Sequence, residues 1–249
     1  THDYLLLFTQ RGRVFWLKAH QVPETQRYGR GQALINLLSL KEDTVTSVIP
    51  IKEFKDGFLF LATKKGIVKK MKLEMFANSR ASGVRAINLP LDNTDALIDV
   101  AVIHQKQEIM MTTKEGQAIR FNSDEVRDMG RASYGVTGIK LNKNDEVVSL
   151  VVVVDPLKET VLTVTRDGYG KRSLVDDYRV TGRACKGVIN LKVTGKNGEV
   201  IRTINASDGD QIIVSTEKGI MIKTPVKNLR VMGRATQGVR VIKLNDNDK

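Results

Sequence analysis

A segment built on the motif Arg-Ala-x-x-Gly recurs along the chain at a nearly constant interval. Its copies close on a glycine, and these closing glycines are Gly31, Gly83, Gly135, Gly187 and Gly238. Successive closing glycines lie 52, 52, 52 and 51 residues apart. The second copy is one residue shorter, and the first is divergent. A fixed period of this length predicts a repeat architecture, in which each repeat is one small structural unit that packs against its neighbours.

A second motif, Thr-x-x-Gly, follows the same period. Its glycines are Gly12, Gly66, Gly116, Gly168 and Gly219, with spacings of 54, 50, 52 and 51 residues. Each copy lies between two β-rich apolar runs, such as Phe58–Leu61 and Ile67–Met71. Two such runs joined by a short turn that contains glycine predict a β-hairpin, with the glycine supplying a positive φ.

Two further strands follow each hairpin in the sequence pattern. The third comes directly after the closing glycine, as in Val84–Leu89. The fourth is expected at Val45–Ile51, Leu97–Ile103, Val147–Val154 and Val200–Ile204. The run Val147–Val154 is apolar on both faces, which predicts a strand buried on both sides. The chain shows no long helical periodicity, and we expect at most one helical turn, at Asp124–Met129.

Four strands every 50 or so residues predict an all-β, propeller-like ring of about five four-stranded blades. We expect a single domain over residues 1–249, with approximate repeats 1–51, 52–103, 104–154, 155–204 and 205–249. The rival is a tandem array of β-sandwiches, which needs roughly 100 residues per unit. The chain holds five copies of the first three strands but four copies of the fourth. We therefore expect the missing strand to lie outside this sequence.

The composition indicates the class of partner. Lys and Arg number 40 against 28 Asp and Glu, which gives a net charge of +12 and suggests a polyanionic partner.

Cys185 is the one cysteine in the sequence, which excludes an internal disulfide framework and favours a reducing compartment. The longest apolar run, Leu150–Val154, is too short for a membrane span, and no signal peptide opens the chain. Because the chain begins at Thr1 rather than Met, we interpret it as part of a longer protein.

The basic residues recur in register with the repeat. Four residues before the closing glycine lie Arg27, Arg131, Arg183 and Arg234, with Arg80 three residues before it in the short copy. Eight residues before it lie Arg127, Arg179 and Arg230. Arg30 and Lys186 lie inside the loops, and the strand after the Thr-x-x-Gly turn adds Lys69, Lys70, Arg120, Lys171, Arg172 and Lys223. Since a ring places equivalent residues at equivalent angles, this register predicts a basic belt that binds DNA.

Guanidinium groups suit phosphates because their planar fork can donate to two oxygens at once. The alternative is that the arginines cap strand ends or pair with Asp128, Asp176 or Asp177. No helix shaped for the major groove is predicted, so we expect sequence-independent binding of duplex DNA by phosphate contact and bending. A protein-interaction propeller is the rival class, and it would need apolar or aromatic anchors in loops that carry mostly Arg, Lys, Gly, Ser and Asp.

The sequence offers no catalytic or cofactor motif. It lacks the glycine-rich phosphate loop that ends in Gly-Lys-Ser/Thr. His2, His20 and His104 are scattered and form no zinc-ligand spacing with Cys185. We therefore predict no catalytic residue, no metal site, no bound cofactor and no small-molecule substrate for this chain, and an enzyme is the least favoured class.

The motifs together resemble the C-terminal domain of the DNA gyrase A subunit. The segments that carry the resemblance include Gly66-Ile67-Val68-Lys69-Lys70, Gly168-Tyr169-Gly170-Lys171-Arg172 and Met232-Gly233-Arg234-Ala235-Thr236-Gln237-Gly238-Val239. The resemblance implies a β-pinwheel whose neighbouring blades exchange strands and which wraps DNA around a basic rim. It also implies an accessory role in an ATP-dependent type IIA topoisomerase. The expected partners are double-stranded DNA, the rest of the gyrase A subunit and the gyrase B subunit, in the bacterial cytoplasm at the nucleoid. ATP and Mg²⁺ would be used by other domains.

One hallmark of that family is missing from the sequence. The box Gln-Arg-Arg-Gly-Gly-Lys-Gly is absent, and the nearest segment, Gln26–Gly31, is one residue short. Either residues before Thr1 encode the box, or the protein lacks it. The second case resembles the corresponding polypeptide of topoisomerase IV, which remains the alternative. Without the box, we expect this chain to bind and bend DNA with weak or absent constraint of writhe.

Overall fold

The computed structural model describes residues 3–26, 31–38, 40, 43–78, 80–104, 106–245 and 248. The regular elements of these residues are β-strands and single turns of 3₁₀-helix. The strands are β1 Tyr4–Thr9, β2 Arg13–Lys18, β3 Val45–Ile51, β4 Phe58–Thr63, β5 Ile67–Lys72, β6 Val84–Arg85, β7 Leu97–Ile103, β8 Glu108–Thr113, β9 Gln117–Asn122, β10 Val136–Thr137, β11 Val147–Val153, β12 Thr160–Thr165, β13 Tyr169–Leu174, β14 Val188–Ile189, β15 Val200–Ala206, β16 Gln211–Ser215, β17 Met221–Pro225 and β18 Val239–Arg240. The 3₁₀-helices are Ala19–Gln21, Leu34–Asn36, Leu73–Phe76, Ser123–Glu125, Val175–Asp177 and Val226–Asn228.

Each Thr-x-x-Gly motif forms the turn of an antiparallel hairpin, as predicted. At the turn between β8 and β9, the amide of Gly116 donates to the carbonyl oxygen of Thr113 at 3.0 Å, and the Thr113 hydroxyl accepts the amide of Gln117 at 3.1 Å. The threonine therefore satisfies backbone groups that the tight turn would leave unpaired. All five turn glycines have a positive φ, between 73° and 86°.

We expect the substitution Gly116→Ala to destabilise the fold by about 2–5 kcal/mol. Gly116 has a φ of +81°, and a Cβ there would lie 2.1 Å from the carbonyl oxygen of Leu191. Urea unfolding followed by circular dichroism measures the effect. Gly130→Ala is the matched control, because a Cβ at Gly130 meets no atom within 4 Å and its φ is not positive. Equal unfolding midpoints for the two variants would contradict the prediction.

The sheets show how the repeats connect. Their strand orders are β3-β1-β2-β6, β10-β5-β4-β7, β11-β8-β9-β14 and β15-β12-β13-β18. In each sheet the short edge strand comes from the repeat that follows, so Val84 of β6 pairs with Val14 of β2. The third strand is thus two residues long and leaves its own repeat. A blade is therefore completed by strand exchange, as the resemblance implied.

The fourth strands match their expected positions closely. The strand β11 is mostly buried along its length, as its apolar sequence predicted, although Val154 just beyond it is exposed. The 3₁₀-helix Ser123–Glu125 overlaps the helical turn expected at Asp124–Met129 at two residues, and the other 3₁₀ turns of the described residues were not expected. The fifth repeat differs, since β16 and β17 form a two-stranded sheet in the described residues. In the first repeat, the described residues after Gly31 form the 3₁₀-helix Leu34–Asn36 where a third strand was expected.

The chain falls into two compact units. The first comprises Thr1–Gln105 and Val126–Val136, and the second comprises Lys106–Glu125 and Thr137–Lys249. In the first unit, buried side chains such as Leu6, Leu59 and Phe76 form a core between two sheets. In the second, Met110, Val161 and Tyr178 belong to one core cluster, and Leu162 and Val226 to another. The single-domain organisation remains a prediction. The described part of the chain contains no helix with the length and apolar character that crossing a membrane requires.

Candidate nucleic-acid interface

Five of the basic residues predicted to contact DNA lie inside the structure. Lys69, Lys70, Arg120, Lys171 and Arg172 are between 0 and 8% exposed. All five lie on the second strand of a hairpin, and their charged ends bond to other parts of the protein. The prediction that they belong to a basic surface is therefore corrected, and we reassign them to internal contacts.

Arg120 shows the internal role most clearly. Its Nε donates to Oε2 of Glu108 at 2.6 Å, and its Nη1 donates to the carbonyl oxygens of Val175 and Tyr178 at 2.9 and 2.8 Å. The 3₁₀-helix Val175–Asp177 belongs to the following repeat. Arg120 therefore joins consecutive repeats by satisfying carbonyl groups at the end of that helix.

The equivalent residues in other hairpins make comparable contacts. Lys70 pairs with Asp128 at 3.3 Å, and Arg172 donates to the hydroxyl of Thr160 at 2.6 Å. In the first hairpin the same position is Trp16, whose indole N–H donates to the carbonyl oxygen of Phe76 at 2.9 Å. A neutral tryptophan therefore makes the same kind of hydrogen bond to the following repeat. This contact is structural and does not require a polyanion.

The remaining basic residues divide into exposed and half-buried groups. The exposed side chains are those of Arg80, Arg127, Arg179, Lys186, Lys223 and Arg230. The half-buried side chains are those of Arg131, Arg183 and Arg234. Arg27 and Arg30 lie outside the described residues. The surface that could meet a phosphate is therefore smaller than the repeat pattern alone predicted.

Arg127, Arg179 and Arg230 occupy the same place in three repeats, just after a 3₁₀-helix. The residue that follows each of them forms a parallel bridge to the preceding hairpin: Asp128 to Lys70, Val180 to Arg120, and Val231 to Arg172. This bridge fixes the backbone beside each arginine, while the arginine side chain is exposed. None of the three side chains forms a hydrogen bond or ion pair with a residue that the structure describes. We name them the exposed arginine set.

Two of the three half-buried arginines bind the ends of short strands. Arg183 donates from Nη1 to the carbonyl oxygen of Thr137 at 3.0 Å, at the end of β10. Arg234 donates from Nη1 to that of Ile189 at 3.0 Å, at the end of β14. Capping of strand ends, one of the alternatives from the sequence, thus applies to these two arginines. Asp128 pairs with Lys70 rather than with an arginine.

Lys69 and Lys171 bind the loops that carry two of these arginines. The Nζ of Lys69 donates to the carbonyl oxygens of Arg131 and Ala86 at 2.7 Å each and of Ser133 at 3.1 Å. The Nζ of Lys171 donates to the carbonyl oxygens of Arg234 and, at 3.1 Å, of Gly233. Burial lowers the pKa of Lys69 to about 8 and that of Lys171 to about 7, because desolvation disfavours the charged form.

The sequence analysis missed three residues of this region. Arg85 and Arg240 are exposed cations two residues after a closing glycine, and Arg240 lies 5.5 Å from the Tyr169 ring centroid. Because both lie two residues after a closing glycine, the sequence repeat could have identified them. Glu125 fixes the loop of Arg183, since its Oε2 accepts the Arg183 amide at 2.8 Å. No pattern in the sequence pointed to that contact.

A family model described as the DNA gyrase C-terminal domain, beta-propeller, matches the chain five times. The matched residues are 3–52, 57–104, 107–153, 159–207 and 210–249. The chain belongs to this family. Its all-β, blade-forming fold and the resemblance seen in the sequence are thereby confirmed. The five matches also begin and end within a few residues of the five sequence repeats.

Curated relatives agree with this family assignment. The DNA gyrase A subunit of Salmonella typhimurium is 41% identical over 251 residues, which cover 100% of this chain and 28% of the relative. That of Chlamydia muridarum is 43% identical over 253 residues, or 100% of this chain and 30% of the relative. The chain thus spans less than a third of the length of these relatives.

Two solved structures in the gyrase C-terminal domain fold are similar to the chain. One is titled as the DNA gyrase A C-terminal domain, with 25% identity, a TM-score of 0.87, and coverage of 100% of this chain and 80% of that one. The other is titled as the C-terminal domain of DNA topoisomerase IV, with 28% identity, a TM-score of 0.86, and coverage of 97% and 75%. Both kinds of topoisomerase therefore carry this fold.

The described residues contain no group of three or more His, Cys, Asp or Glu side chains placed to hold a metal ion. The candidate functional site of this gyrase-family domain is the surface that carries the exposed arginine set.

Proposed function

We propose that the chain binds duplex DNA without sequence preference and bends it, as the accessory C-terminal domain of a DNA gyrase A protein. The observation that carries this proposal is the exposed arginine set. These three arginines recur at one place in the repeat, are solvent-exposed, and have no partner among the described residues. A recurring, unpaired guanidinium group suits a ligand that is itself periodic and anionic, and the DNA backbone has both properties.

Binding of this kind depends on phosphate contacts. The helices among the described residues are single 3₁₀ turns, which are too short to enter a major groove. The described residues therefore contain no helix that could contact base edges in the major groove. Bending a site of 20–30 base pairs by 40–90° costs on the order of 1–6 kcal/mol. Several charge-assisted phosphate contacts, at roughly 1.5–3 kcal/mol each, would offset that cost.

The salt dependence of binding tests the proposal. With about four to six phosphates neutralised, we expect the slope of log K against log salt to be roughly −4 to −5. Fluorescence anisotropy with two unrelated duplexes of about 30 base pairs, between about 50 and 200 mM salt, measures the slope. We expect the two duplexes to bind within about threefold of each other, because phosphate contacts carry no sequence information. Affinity that hardly changes with salt would argue against phosphate binding.

The activity of the whole protein belongs to the same proposal. In a gyrase, this domain would guide strand passage toward negative supercoiling, together with the rest of the gyrase A protein and with the gyrase B protein at the bacterial nucleoid. ATP and Mg²⁺ would act in those other domains, and this chain by itself would have no catalytic role. The 28% identity to a topoisomerase IV C-terminal domain keeps that enzyme as the second candidate. Net negative supercoiling by the full-length parent is the activity that distinguishes the two.

A further inference from the structure

Two buried lysines lie beneath loops that carry arginines, and the one acidic side chain that acts on either of them in the described residues, Asp177 on Lys171, is not close enough to form an ion pair. Lys69 and Lys171 are 0 and 2% exposed. Neither forms an ion pair with any residue that the structure describes. Their ammonium groups bond to backbone carbonyl oxygens, three for Lys69 and two for Lys171. A buried charge that forms no ion pair is costly, so a role beyond packing is expected of it.

The fold itself does not require a lysine at this position. In the hairpin of β8 and β9 the equivalent residue is Ile119, which is also buried. The loop above that hairpin carries Arg183 and is fixed by Glu125 instead, through the Arg183 amide at 2.8 Å and the Arg183 Nε at 3.1 Å. An apolar residue thus serves the core equally well, and the lysines supply something that packing does not.

We propose that Lys69 and Lys171 are positioning residues for DNA binding, which fix the loops of Arg131 and Arg234 in the conformation that meets phosphate. This inference rests on the proposed DNA binding. Each ammonium group turns the loop carbonyl oxygens into the interior, which keeps their negative ends away from a phosphate approaching from solvent. A loop that is already ordered also loses less conformational entropy when DNA binds.

The protonation of these lysines predicts that DNA binding depends on pH. With pKa values of about 8 and about 7, Lys69 and Lys171 lose their protons between about pH 6.5 and 9. A neutral amine carries no charge and donates fewer hydrogen bonds than an ammonium group, so the loops should loosen over this range. Charged groups that act on Lys171 are Asp177, which raises its pKa, and Arg234, which lowers it. For Lys69 the lowered pKa comes from burial.

The test compares the 249-residue chain with the double variant Lys69→Met/Lys171→Met. We expect the variant to bind a duplex of about 30 base pairs roughly tenfold more weakly at about pH 6.5. Removal of the buried charge offsets part of the stability lost with the hydrogen bonds to the loop carbonyl oxygens, and circular dichroism checks that the variant is folded. The unmodified chain should lose roughly fivefold in affinity from about pH 6.5 to 9, and the variant less than about twofold. Ile119→Met controls for methionine at this core position and should bind DNA as the unmodified chain does.

A double-mutant cycle separates positioning from plain charge. If the lysines act through the loops, Arg131→Ala/Arg234→Ala should weaken binding less in the methionine background than in the unmodified chain. If the arginine substitutions reduced DNA affinity equally in the Lys69→Met/Lys171→Met variant and in the unmodified chain, the inference would be overturned. Unchanged DNA affinity in a folded Lys69→Met/Lys171→Met variant would also overturn it. If that variant fails to fold, an affinity of the unmodified chain that is flat from about pH 6.5 to 9 overturns it. Failure of the unmodified chain to bind DNA at any pH would instead refute the proposed function.

Discussion

Replacing Arg127, Arg179 and Arg230 together by alanine is expected to weaken duplex binding roughly a thousandfold. A charge-assisted contact of about 1.5 kcal/mol corresponds to roughly tenfold in Kd, and three contacts are lost. The salt slope should become shallower by about one unit per arginine. Since these side chains are exposed and have no partner in the described structure, the free energy of unfolding should change by no more than about 0.5 kcal/mol. Anisotropy titrations and urea unfolding measure the two effects.

A charge-matched control is available in the same chain. Lys55, Lys106 and Lys158 lie in the turns that connect repeats, and they pair with Glu53, Asp124 and Asp155 at 3.8, 3.8 and 2.8 Å. Their combined replacement by alanine removes the same number of positive charges but should weaken binding less than about threefold, because each lysine is already paired with an acidic side chain and has less free charge to offer a phosphate. If both triple variants weaken binding equally, net charge rather than the exposed arginine set drives DNA binding.

Replacing Arg120 by methionine is expected to have the opposite profile, a large loss of stability with little effect on DNA binding. The change leaves the Glu108 carboxylate without its partner at 2.6 Å and removes the Arg120 donor from the carbonyl oxygens of Tyr178 and of Val175, the second of which keeps the Tyr178 amide as a donor. Breaking such a largely buried pair costs about 3–5 kcal/mol, which for a protein of this size lowers Tm by roughly 6–20 °C. Differential scanning calorimetry measures the shift.

Two variants check this interpretation of Arg120. Arg127→Met removes an exposed arginine from the same repeat and should leave Tm within about 2 °C of the unmodified chain. The double variant Arg120→Met/Glu108→Leu should recover part of the loss, because an apolar pair carries no unpaired buried charge. A normal Tm for Arg120→Met together with weak DNA binding would return Arg120 to the DNA-contacting group.

The sequence by itself determined the local architecture. The two glycine motifs, each repeated every 50 to 54 residues, located the hairpin turns and the four strands of a repeat. Such features are local because a tight turn needs a positive φ wherever it occurs, and an apolar run needs burial whatever covers it. For the same reason the family resemblance could be identified from short segments such as Gly66–Lys70.

Only the tertiary structure decided which cations are free to bind a ligand. Lys69 and Arg127 belong to one register pattern in the sequence, but one is buried and the other exposed. One group that binds the buried end of Lys69 is the carbonyl oxygen of Arg131, 62 residues further along the chain. Hairpins of this fold receive their last strand and their covering loop from the next repeat. Burial at a given position therefore depends on contacts far away in the sequence, which a repeat pattern cannot specify.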